Sequence, residues 1–321
     1  MSLNKPNILV ITPVKHVVGV SSILEDIGPV TYLDDPDLNE ILKIVDKYDV
    51  IFTNPNKSKI YIGKEVIDSA TNLKVICTAS TGTNHIDKVY AAEKNLPILS
   101  ITEERKVINK ISSTAEHAFG LTLAGLRHVV RSHNAVLKGE WDCARYIGRQ
   151  MNYLTIGVIG YGRLGSMYSD YCKAFGAKVI VYDPYKKAKQ SFKQVDKISE
   201  LLNQSDVLAI HVHVTEETQN MFDKSLFNQM KSDVLLVNTS RGDIVNENDA
   251  VIFLKNNPQA RIATDVLSDE IRNRLSSPLL KFAHESDQVI ITPHIGGVSR
   301  EAQEIGYTHA AKLLQSYFIS N

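Results

Sequence analysis

The sequence predicts an α/β protein built on two open, parallel β-sheets, and three observations carry that prediction. Short β-branched runs recur along the chain: NILVI, YDVIFT, LKVICTA and LPILSI form a first series, and LTIGVI, KVIVYD, DVLAIHV, DVLLVN, RIATDV and QVIITP a second. Apolar runs without polar alternation belong to strands covered on both faces. Longer segments of helical period separate these runs, which is the pattern of parallel strands joined by crossovers. Finally, 321 residues exceed the ~250–300 that one core organises, so two domains are expected.

Each series predicts one sheet. Between them lies ISSTAEHAFGLTLAGLRHVVRSHNAVLKGEW, a proline-free stretch that reads as one long connecting helix. Near its end the chain is expected to return to the first domain. The organisation read from the sequence is residues 1–108, then 109–293, then 294–321 as the return. There are no repeats and no low-complexity segments.

Charge excludes several function classes. Lys plus Arg and Asp plus Glu number 36 each, with a pI near 7.2, so no overall field favours nucleic acid or an acidic membrane surface. A small molecule is the expected partner. Cys77, Cys143 and Cys172 are odd in number and widely spaced, which points to thiols, a reducing compartment and a cytoplasmic location. No N-terminal stretch has the form of a signal peptide and no run approaches ~18 apolar residues.

The segment VIGYGRLG holds Gly160, Gly162 and Gly165 in the spacing G-x-G-x-x-G. Alone that pattern is weak, and it gains meaning from a strand before it, a helix opening within it, a second strand after it and an acid closing that strand. LTIGVI, RLGSMYSDYCKAFG, AKVIVYD and its final Asp183 supply all four. Gly160 would allow the tight turn, Gly162 the approach of a pyrophosphate, and Gly165 close packing of helix on strand. Arg163 and Leu164 open the helix, whose free N–H groups attract phosphate. Asp183 would accept from the ribose hydroxyls and repel a 2′-phosphate, favouring NAD over NADP, with Lys186 and Lys187 nearby.

Downstream, VNTSRGDIVNE, ATDVLSDE and ITPHIGG fall at strand ends, where open α/β sheets bind ligands. Arg241, Asp265, Glu270 and His294 could therefore converge on one crevice. His211 and His213, read as one strand face by period two, find no third ligand of suitable spacing, so no metal site is expected. His117 reads as a domain-interface residue.

With STGTNHID, STAEHAFGLTLAGLR, KGEW, IGVIGYGRLG, VNTSRGDIVNE and PHIGG in this order, the chain resembles the D-isomer-specific 2-hydroxyacid dehydrogenases over nearly its whole length, and their short members in particular. The resemblance implies two Rossmann-like or flavodoxin-like domains. On that likeness the NAD-binding domain would be inserted into a substrate domain made of the first sheet and the C-terminal tail. It also implies hydride transfer between the nicotinamide and C2 of a small acid, with His294 exchanging the hydroxyl proton and Glu270 on its other nitrogen. A carboxylate there orients an imidazole and favours its protonated form. Arg241 would grip the substrate carboxylate through its charged fork. By the same likeness Thr81 and Gly82 offer N–H groups to that carboxylate, Asp265 holds the nicotinamide carboxamide, and Thr239 and Gly296 complete the cofactor contacts. Ile271 follows Glu270 where the family commonly has proline, which leaves the adjacent Asp269 open as the partner of His294.

The expected function is NAD-dependent oxidoreduction of a glyoxylate- or hydroxypyruvate-like acid. The alternative within enzymes is D-3-phosphoglycerate oxidation, for which Lys57 and Lys59 in NPNKSK could neutralise the phosphate. The alternative of another class is an NAD-sensing scaffold. A homodimer through the cofactor domains is implied, with the helix after Ser112 and the KGEW turn in its interface and Trp141 as an apolar anchor.

Overall fold

The computed structural model describes residues 5–55 and 60–320, so Lys57 and Lys59 lie outside the described residues. The chain divides into two compact units, one made of Met1–Ile111 with Gly297–Asn321 and the other of Ser112–Gly296.

The first unit holds β1 (Ile8–Val10), β2 (Val30–Tyr32), β3 (Val50–Thr53), β4 (Val75–Thr78) and β5 (Ile98–Ser100). They form a parallel sheet in the order β2-β1-β3-β4-β5. Successive side chains point to opposite faces, so the continuous apolar runs fill two cores. Val50, Phe52, Val75 and Cys77 enter one, and Ile51 and Ile76 the other. The C-terminal helix, Arg300–Ser320, closes the first core with Tyr307, Ala310, Ala311 and Leu314, all fully buried. The Tyr307 hydroxyl meets Thr12 Oγ1 at 3.0 Å, and burial raises its pKa to about 12. Burial likewise pushes the Cys77 thiol up, leaving it inert.

The second unit holds β6 (Thr155–Ile159), β7 (Lys178–Tyr182), β8 (Lys193–Gln194), β9 (Val207–Ile210), β10 (Leu235–Asn238), β11 (Arg261–Thr264) and β12 (Val289–Ile291). Their order is β12-β11-β10-β9-β6-β7-β8, parallel throughout. From β6 the chain builds outward through β7 and β8, then crosses to the other side at β9. The carboxyl ends of β6 and β9 therefore flank the switch point where such sheets open a crevice. Val207 and Ala209 enter one core, Leu208 and Ile210 the other.

Four details differ from the sequence reading. Strands β2 and β8 were not expected; both lie at sheet edges, and neither carries a fully buried apolar run. The stretch read as one connecting helix is two, Ser113–Leu126 and Val129–Leu137. Between them His128 takes a left-handed φ of 55°, buried, with its Nε2 3.2 Å from the Ile147 carbonyl oxygen. His211 and His213 do not share a strand face, because β9 ends at Ile210. Among the described residues, no helix is long and apolar enough to cross a membrane, and no group of three or more His, Cys, Asp or Glu side chains could hold a metal ion.

Candidate active site

The glycine loop joins β6 to the helix Arg163–Ala174, with Gly162 as its N-cap. Gly160 has φ 89°, and a Cβ there would lie 2.5 Å from the His211 carbonyl oxygen, so only glycine suits both the dihedral and the contact. At Gly165 a Cβ would fall 2.0 Å from the Gly160 carbonyl oxygen, which is how the helix comes to rest directly on the turn. Gly162 differs from both: a Cβ there meets nothing within 4 Å, so the loop borders open space at the helix N-terminus. Arg163 and Leu164 form the first helical positions behind that space.

Asp183 stands just past β7 and braces the loop. Its Oδ2 accepts from the Tyr161 N–H at 2.7 Å, and its Oδ1 from the Tyr185 and Lys186 N–H groups at 2.8 and 2.9 Å. Beneath the loop, the His211 ring packs against Tyr168 with centroids 5.0 Å apart. Part of His211 reaches solvent, but both ring nitrogens are buried and unpartnered among the described residues, and this desolvation lowers its pKa to about 4.

Three neighbouring strands deliver the remaining residues at their carboxyl ends. After β10, Asn238 shapes the turn: its Oδ1 accepts from the Ser240 N–H at 3.0 Å and its Nδ2 donates to the Arg241 carbonyl at 2.9 Å. Arg241 is partly buried. Desolvation lowers its pKa and the nearby Glu270 and Asp243 oppose that, so the guanidinium stays charged. Thr239 is buried, its hydroxyl unpartnered among the described residues.

After β11 comes Asp265, 1% exposed. Its Oδ1 accepts from the Thr292 hydroxyl and from the Ile295 N–H at 2.9 Å, and its Oδ2 from the Gly296 N–H at 2.7 Å. His117 Nε2 lies 3.3 Å from Oδ1 and 2.9 Å from the Thr292 hydroxyl oxygen. Since that hydroxyl donates to Asp265, His117 Nε2 is the protonated nitrogen. Burial alone would raise the Asp265 pKa, but the hydrogen bonds from His117, Thr292, Gly296 and Ile295 outweigh it and hold the carboxyl below its usual range.

After β12 comes His294, with φ 55°, its N–H donating to the carbonyls of Asp265 at 2.9 Å and Thr292 at 3.0 Å. Its Nδ1 lies 2.5 Å from Glu270 Oε1. Glu270 Oε2 accepts from the Leu267 N–H at 3.2 Å. Asp269, left open by the sequence, turns away to accept from Arg272 Nε at 2.9 Å. Because a carboxylate only accepts, Nδ1 carries the proton and Nε2 is the nitrogen free to exchange one.

In the first unit, Thr81 and Gly82 follow β4. The Thr102 hydroxyl donates to the Thr81 carbonyl at 2.9 Å and the Ser80 hydroxyl to the Gly82 carbonyl at 2.5 Å. Neither Thr81 nor Gly82 donates its own N–H to an acceptor among the described residues. The sequence reading missed what His117 and Thr292 contribute. No spacing signals those contacts, which depend on elements distant in sequence.

Residues 119–296 match the family model described as D-isomer specific 2-hydroxyacid dehydrogenase, NAD binding domain. The chain is 31% identical over 270 residues to the hydroxypyruvate reductase of Thermotoga maritima, covering 83% of each protein. It is 34% identical over 267 residues to the D-3-phosphoglycerate dehydrogenase of Archaeoglobus fulgidus, covering 82% of this chain and 48% of that protein. The chain thus spans about half the length of that relative. A D-lactate dehydrogenase from Aquifex aeolicus, solved with NAD and lactic acid, superposes with a TM-score of 0.82 at 27% identity, covering 98% of this chain and 96% of the other.

The chain therefore belongs to the D-isomer specific 2-hydroxyacid dehydrogenase family, and its second unit is the NAD-binding domain. The residues present fit that cofactor. A Cβ at Gly162 would meet nothing within 4 Å, which leaves room at the helix N-terminus for a pyrophosphate, and the buried Thr239 hydroxyl lacks a partner among the described residues.

Proposed function

We propose that the protein is an NAD-dependent oxidoreductase transferring a hydride between the nicotinamide and C2 of a small D-2-hydroxy or 2-keto acid, of the glyoxylate or hydroxypyruvate kind. The observation that carries this reading is the Glu270–His294 contact at 2.5 Å in the unit that also holds the charged Arg241. When bound, the nicotinamide supplies or takes the hydride. In reduction His294 Nε2–H gives its proton to the C2 oxygen, while Glu270 holds Nδ1–H and stabilises the imidazolium. In oxidation Nε2 takes the hydroxyl proton. Arg241 binds the acid's carboxylate and polarises the C2 oxygen, as a planar fork can and an ammonium cannot. The first unit serves as the substrate domain, where the N–H groups of Thr81 and Gly82, which meet no acceptor among the described residues, would donate to a substrate carboxylate.

Gly162, Arg163 and Leu164 border the pyrophosphate on the loop that Gly160 and Gly165 shape, Asp183 takes the ribose, and Thr239 and Gly296 the nicotinamide end. Asp265 would take the carboxamide through Oδ2, which among the described residues accepts only from the Gly296 N–H, while Oδ1 is occupied. A 3-phosphoglycerate substrate is the second reading, favoured by the Archaeoglobus relative. Assay of NADH oxidation with glyoxylate, hydroxypyruvate, pyruvate and 3-phosphohydroxypyruvate tests both. The highest kcat/KM for an unphosphorylated acid supports the first reading, and for the phosphorylated one the second. Tight NADH binding without turnover of any of them favours a scaffold.

The second unit also supports a homodimer. Leu137, Trp141, Ile147 and Tyr153 are 72–90% exposed along one stretch of chain, more apolar surface than a lone subunit comfortably leaves in water. Sedimentation at micromolar concentration tests it, and a monomer would rule it out. The buried thiols of Cys77 and Cys172 suit a reducing, cytoplasmic setting.

A further inference from the structure

Glu270 sits on an irregular segment between β11 and the helix Pro278–Ala283, and such a segment holds a catalytic geometry only if something anchors it. One buried carboxylate does so at both ends. Glu247, the first residue of the helix Glu247–Asn256, is 5% exposed. Its Oε1 accepts from the Ser268 N–H at 2.8 Å, two residues before Glu270, and its Oε2 accepts from the Ser277 hydroxyl. Ser277 in turn caps the Pro278–Ala283 helix, accepting from the Leu280 N–H at 3.0 Å. The turn that carries Arg241 bears on the same place: a Cβ on Gly242 would lie 2.0 Å from the Leu267 carbonyl carbon and 2.2 Å from the Ser268 nitrogen.

We propose that Glu247 is a positioning residue of the Glu270–His294 pair, fixing the Leu267–Ser268 backbone from which Glu270 reaches the imidazole. Leu267 itself donates to Glu270 Oε2, so any movement of this backbone passes directly to the carboxylate that holds Nδ1. Charge is not what the site requires of Glu247. Its two partners are an N–H and a hydroxyl, and a glutamine can accept from the first while donating to the second, because a hydroxyl serves in either role. Alanine can do neither, and it leaves the partly buried Ser268 N–H without its acceptor.

The inference rests on the catalytic reading of His294, but its test does not depend on that reading. The tautomer of His294 is read from the ¹⁵N shifts of its ring, assigned by the signals lost in His294→Gln, in the full chain and in Glu270→Ala, Glu247→Gln and Glu247→Ala. The parent and Glu247→Gln are expected to hold the Nδ1–H form, whereas Glu247→Ala is expected to drift toward the Nε2–H form as Glu270→Ala does. Alongside this, kcat should fall about 10- to 100-fold in Glu247→Ala, as for a catalytic group displaced by about an ångström, with NADH affinity unchanged. If Glu247→Ala fails to fold, Ser277→Ala removes one anchor alone and should shift the tautomer part of the way. A folded Glu247→Ala, or Ser277→Ala in its place, that keeps the parent tautomer overturns the proposal, whatever its kcat. An unchanged kcat in His294→Gln would instead sink the catalytic reading and leave the tautomer result to decide on Glu247.

Discussion

His294 Nδ1 and Glu270 Oε1 lie 2.5 Å apart, and the histidine that makes this contact has a backbone φ of 55°. A non-glycine residue in that region carries strain and persists only where its surroundings hold it. Here the two carbonyls that accept from the His294 N–H belong to Asp265 and Thr292, and the Asp265 carboxylate collects the Thr292 hydroxyl and the N–H groups of Ile295 and Gly296. The ring is aimed by a network rather than by its rotamer alone.

Gly162→Ala and Gly165→Ala should separate binding from folding. The first adds a methyl in open space and should weaken NADH at least about tenfold, with a Tm near the parent's. The second drives a Cβ to 2.0 Å from the Gly160 carbonyl and should lower the Tm markedly. NADH titration and thermal melts of the pair check this, and equal Tm losses would refute it.

Asp183→Ser should weaken NADH and improve NADPH, because the carboxylate both repels a 2′-phosphate and braces the loop through Tyr161, Tyr185 and Lys186. Ratios of kcat/KM for the two cofactors measure it. Equal use of both by the parent would mean that Lys186 or Lys187 already compensates.

Arg241→Lys keeps the charge and loses the fork. The expected result is a kcat/KM for the keto acid reduced about 100-fold, with NADH affinity intact. A lysine variant within a few-fold of the parent would reduce Arg241 to a point charge.

His211 predicts an acid sensitivity of definite sign. Its pKa is lowered from 6.5 to about 4 on folding, so the unfolded chain binds the extra proton between those values. Its contribution is complete above pH 6.5 and is lost as the pH falls toward 4, amounting to about 2 kcal/mol by pH 5. Urea unfolding at pH 7 and pH 5 should show His211→Phe losing less stability than the parent over that interval. Parallel losses would contradict the assignment.

The fold was readable where the chain repeats one physical rule, and obscure where single residues decide. DVLLVN and RIATDV announce doubly covered strands, and the glycine loop gains meaning from the strand, helix and acid around it. By contrast, Val30–Tyr32 is a half-buried edge strand of three residues, and Lys193–Gln194 has no apolar side chain to mark it. The break at His128 involves neither glycine nor proline. At that break the His128 ring meets the Ile147 carbonyl, a contact between residues distant in sequence. In the site, Arg241, Glu270 and His294 stand out as charged or ionisable residues past apolar strands, whereas Glu247 looks in sequence like any acid in a first helical turn.

The most direct measurement is steady-state reduction of the preferred keto acid by the parent and by His294→Gln, with NADH binding titrated in both. The account predicts a kcat lowered by about 10²–10⁴ in the variant, the usual weight of general acid–base catalysis, and an NADH affinity that does not change. A variant that keeps most of its kcat would contradict it.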